Sequence, residues 1–149
     1  MDSGQLKEKG FSSWFLLDKN SIANVPAYPG VYILRRGQGV FFGRLSGQSD
    51  ILYIGSTEAN QGLKQRLRQY IFPGPTQWTN KRINEMLSKY RIEVAWLRCE
   101  EPGNLEHALL KWYVNEHDEL PPLNHATRRL LRKVVEDKIK ISDCGKIEK

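Results

Sequence analysis

The chain has 149 residues, which suits a single domain that can bury an ordinary core. Its 23 Lys and Arg residues against 17 Asp and Glu give a net charge of +6, which favours an anionic partner such as a nucleic acid. No stretch of the sequence approaches the roughly 20 apolar residues that a membrane-spanning helix needs. The first ten residues also lack the apolar run of a signal peptide.

The two cysteines, Cys99 and Cys144, lie far apart and outside any CxxC pattern. This spacing is typical of free thiols in a reducing compartment and does not favour a zinc site. We therefore expect a cytoplasmic protein with no membrane partner.

The charge is distributed unevenly along the chain. Residues 61–98 hold eight basic and two acidic side chains, residues 100–120 hold six acids and one Lys, and residues 126–149 are basic again. An acidic segment between basic ones could hold a divalent cation against a phosphate. Ordinary mixing of surface charges explains the same pattern, so charge alone leaves both readings open.

The first half of the chain predicts two strands. Residues 1–10 are polar, and the apolar cluster 11–17 predicts a short helix, capped by Ser12 or Ser13, that covers one side of a sheet. The apolar runs 31–34 and 51–54 predict antiparallel strands, the second ended by Gly55-Ser56-Thr57. The glycine-rich segment 37–50 between them predicts a long hairpin connection with a small strand at 40–42.

A helix is predicted from residue 62 to residue 71. Leu63, Leu67, Tyr70 and Ile71 recur at the spacing of one helical face, and 72–75, Phe-Pro-Gly-Pro, ends the helix. On this helix Arg66 and Tyr70 lie one turn apart, which places a guanidinium and a phenol together. On pattern alone, a basic helix after a strand is more often only a solvated face.

The second half predicts two more helices around a third strand. Thr79 is expected to cap the first of these helices, and a strand is expected from about residue 91. Asn104 is expected to cap the next helix, with Glu106 in its first turn, where the helix dipole favours a carboxylate. The last helix, 127–141, is amphipathic, with a Leu/Val stripe and a strongly basic face.

The predicted fold is α+β, with a small three-stranded, mainly antiparallel sheet flanked by helices. We expect a single domain over 1–149. It consists of an N-terminal covering segment (1–25), a core (26–125) and a C-terminal basic helix with its tail (126–149).

Two tripeptides on the predicted strands carry a family resemblance. Gly30-Val31-Tyr32 and Tyr53-Ile54-Gly55 resemble the paired signature of the GIY-YIG nuclease superfamily. Later elements are similar to that family in the same order: the run 63–66 ending in Arg66, then Tyr70, then Glu106 in a helix, then Pro122-Leu123-Asn124. The resemblance covers roughly residues 26 to 125.

The chain departs from the family pattern in three places. Twenty residues separate Tyr32 from Tyr53, so the hairpin 37–50 reads as an insertion. The segment from Glu106 to Asn124 is longer than in the DNA-repair members. Ser56 stands where some members have Lys, and Lys64 is the suggested substitute.

The resemblance implies a metal-dependent DNA endonuclease that hydrolyses phosphodiester bonds, of restriction, repair or mobile-element type. It implies that Glu106 binds Mg²⁺ or Mn²⁺ and that Arg66 holds the scissile phosphate. Tyr32 would accept the proton of the attacking water, which requires Arg66 and the cation to lower a phenol pKa that is ordinarily near 10. Tyr53 would position the water or phosphate, Tyr70 would hydrogen-bond the phosphate, and Asn124 would brace the site.

Other readings stay open for each of these residues. Tyr32 and Tyr53 could be cross-strand packing, Glu106 a partner of the helix dipole, and Asn124 a turn residue. The chain as a whole could be a catalytically silent nucleic-acid-binding module, or a nuclease that acts on RNA. A homodimer or a separate specificity partner would supply sequence selection. Candidate DNA contacts lie in segments 37–50, 72–82 and 127–141 and at the basic residues Lys64, Arg68, Lys81, Arg82, Arg128, Arg129, Arg132 and Lys133.

Overall fold

A four-stranded antiparallel sheet forms the centre of the computed structural model, which describes residues 1–59, 61–75 and 78–124. Its strands are β1 (Phe15–Leu16), β2 (Gly30–Arg36), β5 (Ile51–Thr57) and β6 (Ile92–Arg98), in the spatial order β1-β6-β2-β5. A separate two-stranded hairpin, β3 (Phe42–Gly43) with β4 (Gln48–Ser49), lies in the connection between β2 and β5. The helices are α1 (Ser3–Glu8), α2 (Gly62–Ile71), α3 (Trp78–Lys89) and α4 (Pro102–His117), with a 3-10 turn at Ser21–Asn24.

Both faces of the sheet are covered by helices, and β2 shows how the layers divide. Val31 and Ile33 pack in the cluster that contains the apolar face of α4, together with Leu6 of α1. Tyr32 and Leu34, which alternate with them, pack in the cluster that contains residues of α2 and α3. Tyr32 is therefore a core residue on the face of the sheet that α2 covers.

The predicted α+β class and the mainly antiparallel sheet with flanking helices are confirmed. Strands 31–34 and 51–54 pair antiparallel, the helix 62–71 has the predicted bounds, and a strand begins at Ile92. The predicted count of three strands is wrong, because β1 adds a fourth strand against β6. With two residues, β1 is too short to carry a periodic signal.

The N-terminal prediction is wrong in its position. Residues 15 and 16 form strand β1, and the helix lies earlier, at Ser3–Glu8, within the stretch predicted as a polar start. Asp2 caps α1: its carboxylate accepts from the Gln5 backbone N–H and the Gln5 side chain accepts from the Asp2 N–H, both at 2.9 Å. This capping box supplies the start signal of the helix.

Three predicted boundaries also need correction. Strand β5 continues through Thr57, because Gly55 to Thr57 pair with the first residues of β2. Thr79 lies inside α3 and Asn104 inside α4, so neither is the cap. Helix α4 begins at Pro102, where the missing N–H of proline costs no hydrogen bond.

The predicted small strand at 40–42 is displaced to Phe42–Gly43. The predicted basic helix 127–141 lies outside the described residues. Within the described ranges, no helix combines the length and the apolar character that crossing a membrane requires.

Candidate functional site

Three tyrosines from three different elements meet on the α2 face of the sheet. The ring centroids of Tyr32 and Tyr53 are 6.0 Å apart, those of Tyr32 and Tyr70 5.9 Å, and those of Tyr53 and Tyr70 6.4 Å. The hydroxyls of Tyr32 and Tyr70 hydrogen-bond to each other, and either can be the donor. Tyr32 and Tyr70 are each 1% exposed, whereas Tyr53 is only partly buried. Tyr53 is therefore the solvent-facing member of the cluster.

Gly55 makes room for this cluster. It lies directly opposite Tyr32 in the β2–β5 pair. A Cβ atom at Gly55 would lie 2.5 Å from the Tyr32 hydroxyl oxygen and 2.6 Å from Cε2 of Tyr53. A side chain at residue 55 would therefore displace both rings, and the glycine is a packing requirement of the tyrosine cluster.

The start of helix α2 is fixed to the segment before β2. The N–H of Leu63 donates to the Tyr28 carbonyl at 2.9 Å, and the N–H of Lys64 donates to the Pro26 carbonyl at 3.2 Å. These bonds satisfy donors that a helix N-terminus leaves unpaired. Leu63 and Leu67 are fully buried, so the helix is held to the sheet along its length and presents Arg66 beside the tyrosines.

Arg66 is half-buried, and its charge acts on each of the tyrosines and on Glu106. Burial raises the pKa of Tyr32 well above its ordinary value, neighbouring Tyr70 and Tyr53 raise it further, and Arg66 opposes them. No described carboxylate forms a salt bridge with Arg66. A positioned guanidinium that is not held in a salt bridge is suited to an incoming anion.

Glu106 reaches the same region from α4. Because that helix begins at Pro102, Glu106 lies in its second turn and not in the predicted first turn. The carboxyl is half-buried; burial raises its pKa, while a hydrogen bond from the Ser56 hydroxyl and the Arg66 charge act in the opposite direction. Burial also raises the pKa of Tyr53, and the nearby Glu106 adds to that shift.

Ser56 is a contact that the sequence did not reveal. In the sequence, residue 56 stands out only because some members of the superfamily that the chain resembles have Lys there. Ile54 packs in the α4 cluster, so strand alternation places Ser56 on the same face as Glu106. No local sequence pattern predicts the contact between Ser56 and Glu106, because it depends on where α4 crosses β5.

The donors at this place fit a magnesium ion that keeps most of its water. Glu106 offers a carboxylate and Ser56 a hydroxyl. Within ranges 1–59, 61–75 and 78–124, no three His, Cys, Asp or Glu side chains form a metal-binding group. Mg²⁺ in phosphoryl-transfer sites commonly uses one or two carboxylates, several waters and the substrate phosphate, so a lone Glu is compatible with it.

Asn124 holds the backbone of β5. Its Oδ1 accepts from the Ile54 N–H at 3.0 Å and its Nδ2 donates to the Ile54 carbonyl at 2.9 Å. The Leu123 N–H also donates to the Leu52 carbonyl at 3.0 Å. Asn124 thus braces the strand that carries Tyr53 and Gly55, through the backbone and not through a side chain of the cluster.

The predicted DNA contacts fall into separate regions. Lys64 and Arg68 line a groove on α2, and Lys81 and Arg82 are exposed on α3, where Lys81 donates to the Pro75 carbonyl. Lys64 and Arg66 lie two residues apart on α2, roughly 200° around the helix. Because Lys64 faces away from Arg66, it does not take the place of the Lys that some members of the superfamily have at residue 56. The remaining candidates lie outside the described residues: Arg128, Arg129, Arg132 and Lys133.

Five of the six predicted catalytic residues therefore interact within one cluster, and the sixth, Asn124, supports its backbone. No family model, curated protein or solved structure matches the chain.

Proposed function

We propose that this protein is a metal-dependent endonuclease that hydrolyses phosphodiester bonds in DNA, with a core of the GIY-YIG kind. The observation that carries the proposal is the convergence of Tyr32, Tyr53, Tyr70, Arg66 and Glu106 from four elements onto one site. Phosphodiester hydrolysis needs an anion-binding group, a proton acceptor and charge stabilisation, and this set supplies one group for each.

The architecture also supports the proposed GIY-YIG likeness. The two tripeptides lie on adjacent antiparallel strands, with Tyr32 of one opposite Gly55 of the other. The hairpin β3–β4 occupies the segment 37–50 that reads as an insertion, and β1 is a short addition at the far edge of the sheet. Neither addition interrupts the strands that carry the tyrosines.

Arg66 binds the scissile phosphate in this proposal. Its fork of N–H donors matches two phosphate oxygens, and charge that develops on those oxygens during the attack strengthens the contact. Leu63 and Leu67 anchor the helix on both sides of Arg66, so the guanidinium is positioned before the substrate arrives. Such positioning lowers the reorganisation that the transition state requires.

Glu106 holds the cation, with Ser56 fixing the orientation of its carboxylate. Mg²⁺ or Mn²⁺, when bound, supplies Lewis-acid stabilisation of the phosphate and acidifies coordinated water. The partial burial of Glu106 raises its pKa, so the free carboxylate is electrostatically unfavourable and a bound cation relieves that cost.

Tyr32 is the proton acceptor in this proposal and acts in its deprotonated form. Either hydroxyl of the Tyr32–Tyr70 pair can donate, but the neighbouring Tyr70 raises the pKa of Tyr32 and so opposes its ionisation. Arg66 adds a favourable charge, whereas burial opposes ionisation. Tyr53, the more exposed phenol, lies between this pair and Glu106 and orients the water.

The proposal is tested by incubating the purified protein with supercoiled plasmid in Mg²⁺, in Mn²⁺ and in EDTA. Nicked or linear products that form only with the metals support a DNA endonuclease. Cleavage of RNA in place of DNA would keep the chemistry and change the substrate. Binding of DNA without cleavage in either metal would favour a catalytically silent module.

A further inference from the structure

A basic groove lies on the side of α2 that faces away from Arg66. It is formed where the 3-10 turn Ser21–Asn24 meets the helix, and it encloses about 410 Å³. Pockets of roughly 300–1,000 Å³ accommodate small ligands, so the groove has room for a ligand the size of a nucleotide. Its lining combines three cations, an aromatic ring and a small apolar floor: Lys19, Lys64, Arg68, Phe72, Ile22 and Ala23.

The cations of this groove are not neutralised by described carboxylates. Lys19, Lys64 and Arg68 form no salt bridge within the described ranges. The acid closest in sequence, Asp18, is engaged elsewhere, because its Oδ1 accepts from the backbone N–H groups of Asn20 and Ser21 at 2.9 and 2.8 Å. The groove is therefore electropositive and complementary to a polyanion.

Phe72 provides an exposed aromatic face between two of these charges. The residue is 55% exposed at the end of α2, so its ring is accessible to a ligand. The Lys19 Nζ atom lies 5.7 Å from the ring centroid and the Arg68 Cζ atom lies 5.9 Å from it. An aromatic ring flanked by cations is the arrangement on which proteins stack unpaired bases while binding the adjoining phosphates.

We propose that this groove binds an unpaired strand of nucleic acid, with a base stacked on Phe72 and the backbone phosphates held by Lys19, Lys64 and Arg68. Bases inside a duplex are stacked on one another and do not offer their faces to a side chain. This inference deepens the proposed function, on which it rests for the choice of ligand class, because it predicts a substrate with a single-stranded segment near the cleavage site. Helix α2 would then contact substrate on both sides, through Arg66 and through the groove.

The test measures binding in EDTA, where metal-dependent cleavage cannot interfere. Fluorescence anisotropy compares a labelled oligothymidylate with a duplex of equal length. Phe72→Leu, which removes the ring and keeps an apolar side chain, is expected to weaken single-strand binding about tenfold and duplex binding far less. Tyr90→Leu is the matched control, because Tyr90 is a 42% exposed aromatic residue beside Arg36, outside the groove and outside the candidate DNA contacts.

A charge test complements the ring test. Lys19→Ala/Arg68→Ala is expected to reduce the slope of log affinity against log salt for the single strand by about 0.7 per lost phosphate contact. Lys7→Ala/Lys89→Ala removes two exposed lysines outside the groove, and its salt slope for the single strand is expected to stay close to that of the wild type. Thermal melts establish that each variant is folded.

The inference is overturned if folded Phe72→Leu and Tyr90→Leu bind the oligothymidylate equally well, or if the two double variants have the same salt slope. These outcomes are distinguishable from failure of the nuclease proposal. Loss of single-strand binding in Phe72→Leu with no cleavage by the wild type would support the groove and refute the nuclease. Cleavage by the wild type together with normal single-strand binding by Phe72→Leu would support the nuclease and refute the groove.

Discussion

The side-chain amide of Asn124 pairs with both backbone groups of Ile54, at 3.0 and 2.9 Å. Strand β5 is at the edge of the sheet, so its outward N–H and C=O groups have no neighbouring strand. Asn124 satisfies them between Tyr53 and Gly55. A residue 70 positions along the chain from Ile54 thereby fixes the strand that positions the tyrosine cluster.

Asn124→Ala is expected to lower the free energy of unfolding by about 1–3 kcal/mol, because it leaves the two Ile54 groups unpaired. Urea denaturation measures the loss. Asn124→Asp keeps the acceptor and loses the donor, so a smaller loss is expected. An alanine variant with wild-type stability and lost cleavage would instead identify Asn124 as a substrate contact.

Gly55→Ala is expected to destabilise the protein by about 1–3 kcal/mol, since the added methyl group overlaps the Tyr32 and Tyr53 rings. The control is Gly43→Ala, because a Cβ there meets nothing within 4 Å. Thermal unfolding of both variants checks the difference. Equal melting temperatures would show that the rings do not pack over Gly55 as described.

Arg66→Ala is expected to reduce the cleavage rate by at least about a hundredfold with little change in stability, because the role proposed for Arg66 is to stabilise charge on the phosphate. Arg66→Lys is expected to recover only part of the rate, since an ammonium lacks the planar fork. Gln65→Ala, an exposed neighbour on α2, is the control. Single-turnover cleavage at saturating DNA separates the rate from binding.

The cleavage rate is expected to rise with pH, because burial raises the pKa of Tyr32 and leaves little phenolate at neutral pH. Below the pKa of an essential base, its deprotonated fraction grows about tenfold per pH unit. Single-turnover rates across a pH series should therefore climb in the wild type and in Tyr53→Phe. Tyr32→Phe should be slow and flat; an unchanged climb in this variant would refute Tyr32 as the acceptor.

Local patterns were sufficient to predict the element that carries Arg66. Leu63 and Leu67 repeat at helical spacing, and the prolines at 73 and 75 end the pattern, so the bounds of α2 follow from the sequence. The two long strands before α2 follow in the same way. Strand β1 does not, because two residues carry no periodicity and the strand is defined by its pairing with β6.

The composition of the site could be predicted only in part. Tyr32 and Tyr70 are 38 residues apart, and their selection came from the family resemblance and not from periodicity. Ser56 could not be found, since its contact with Glu106 depends on the crossing of α4 over β5. Lys64 and Arg68, which line the groove on α2, can be recognised in the sequence as basic residues of one helix. Lys19 lies far from them in the sequence, and only the fold brings it to the same groove.

The most direct test of the central claim is plasmid cleavage by Glu106→Gln beside the wild type and Glu85→Gln, an exposed carboxylate on α3. Because burial raises the pKa of Glu106, its charge does not stabilise the free fold near neutral pH, and the Gln variant is expected to melt no lower than the wild type. We predict metal-dependent nicking by the wild type and Glu85→Gln, abolished in EDTA, and at least about a hundredfold slower in Glu106→Gln. Equal cleavage by a folded Glu106→Gln variant, or none by any protein in Mg²⁺ or Mn²⁺, would contradict the account.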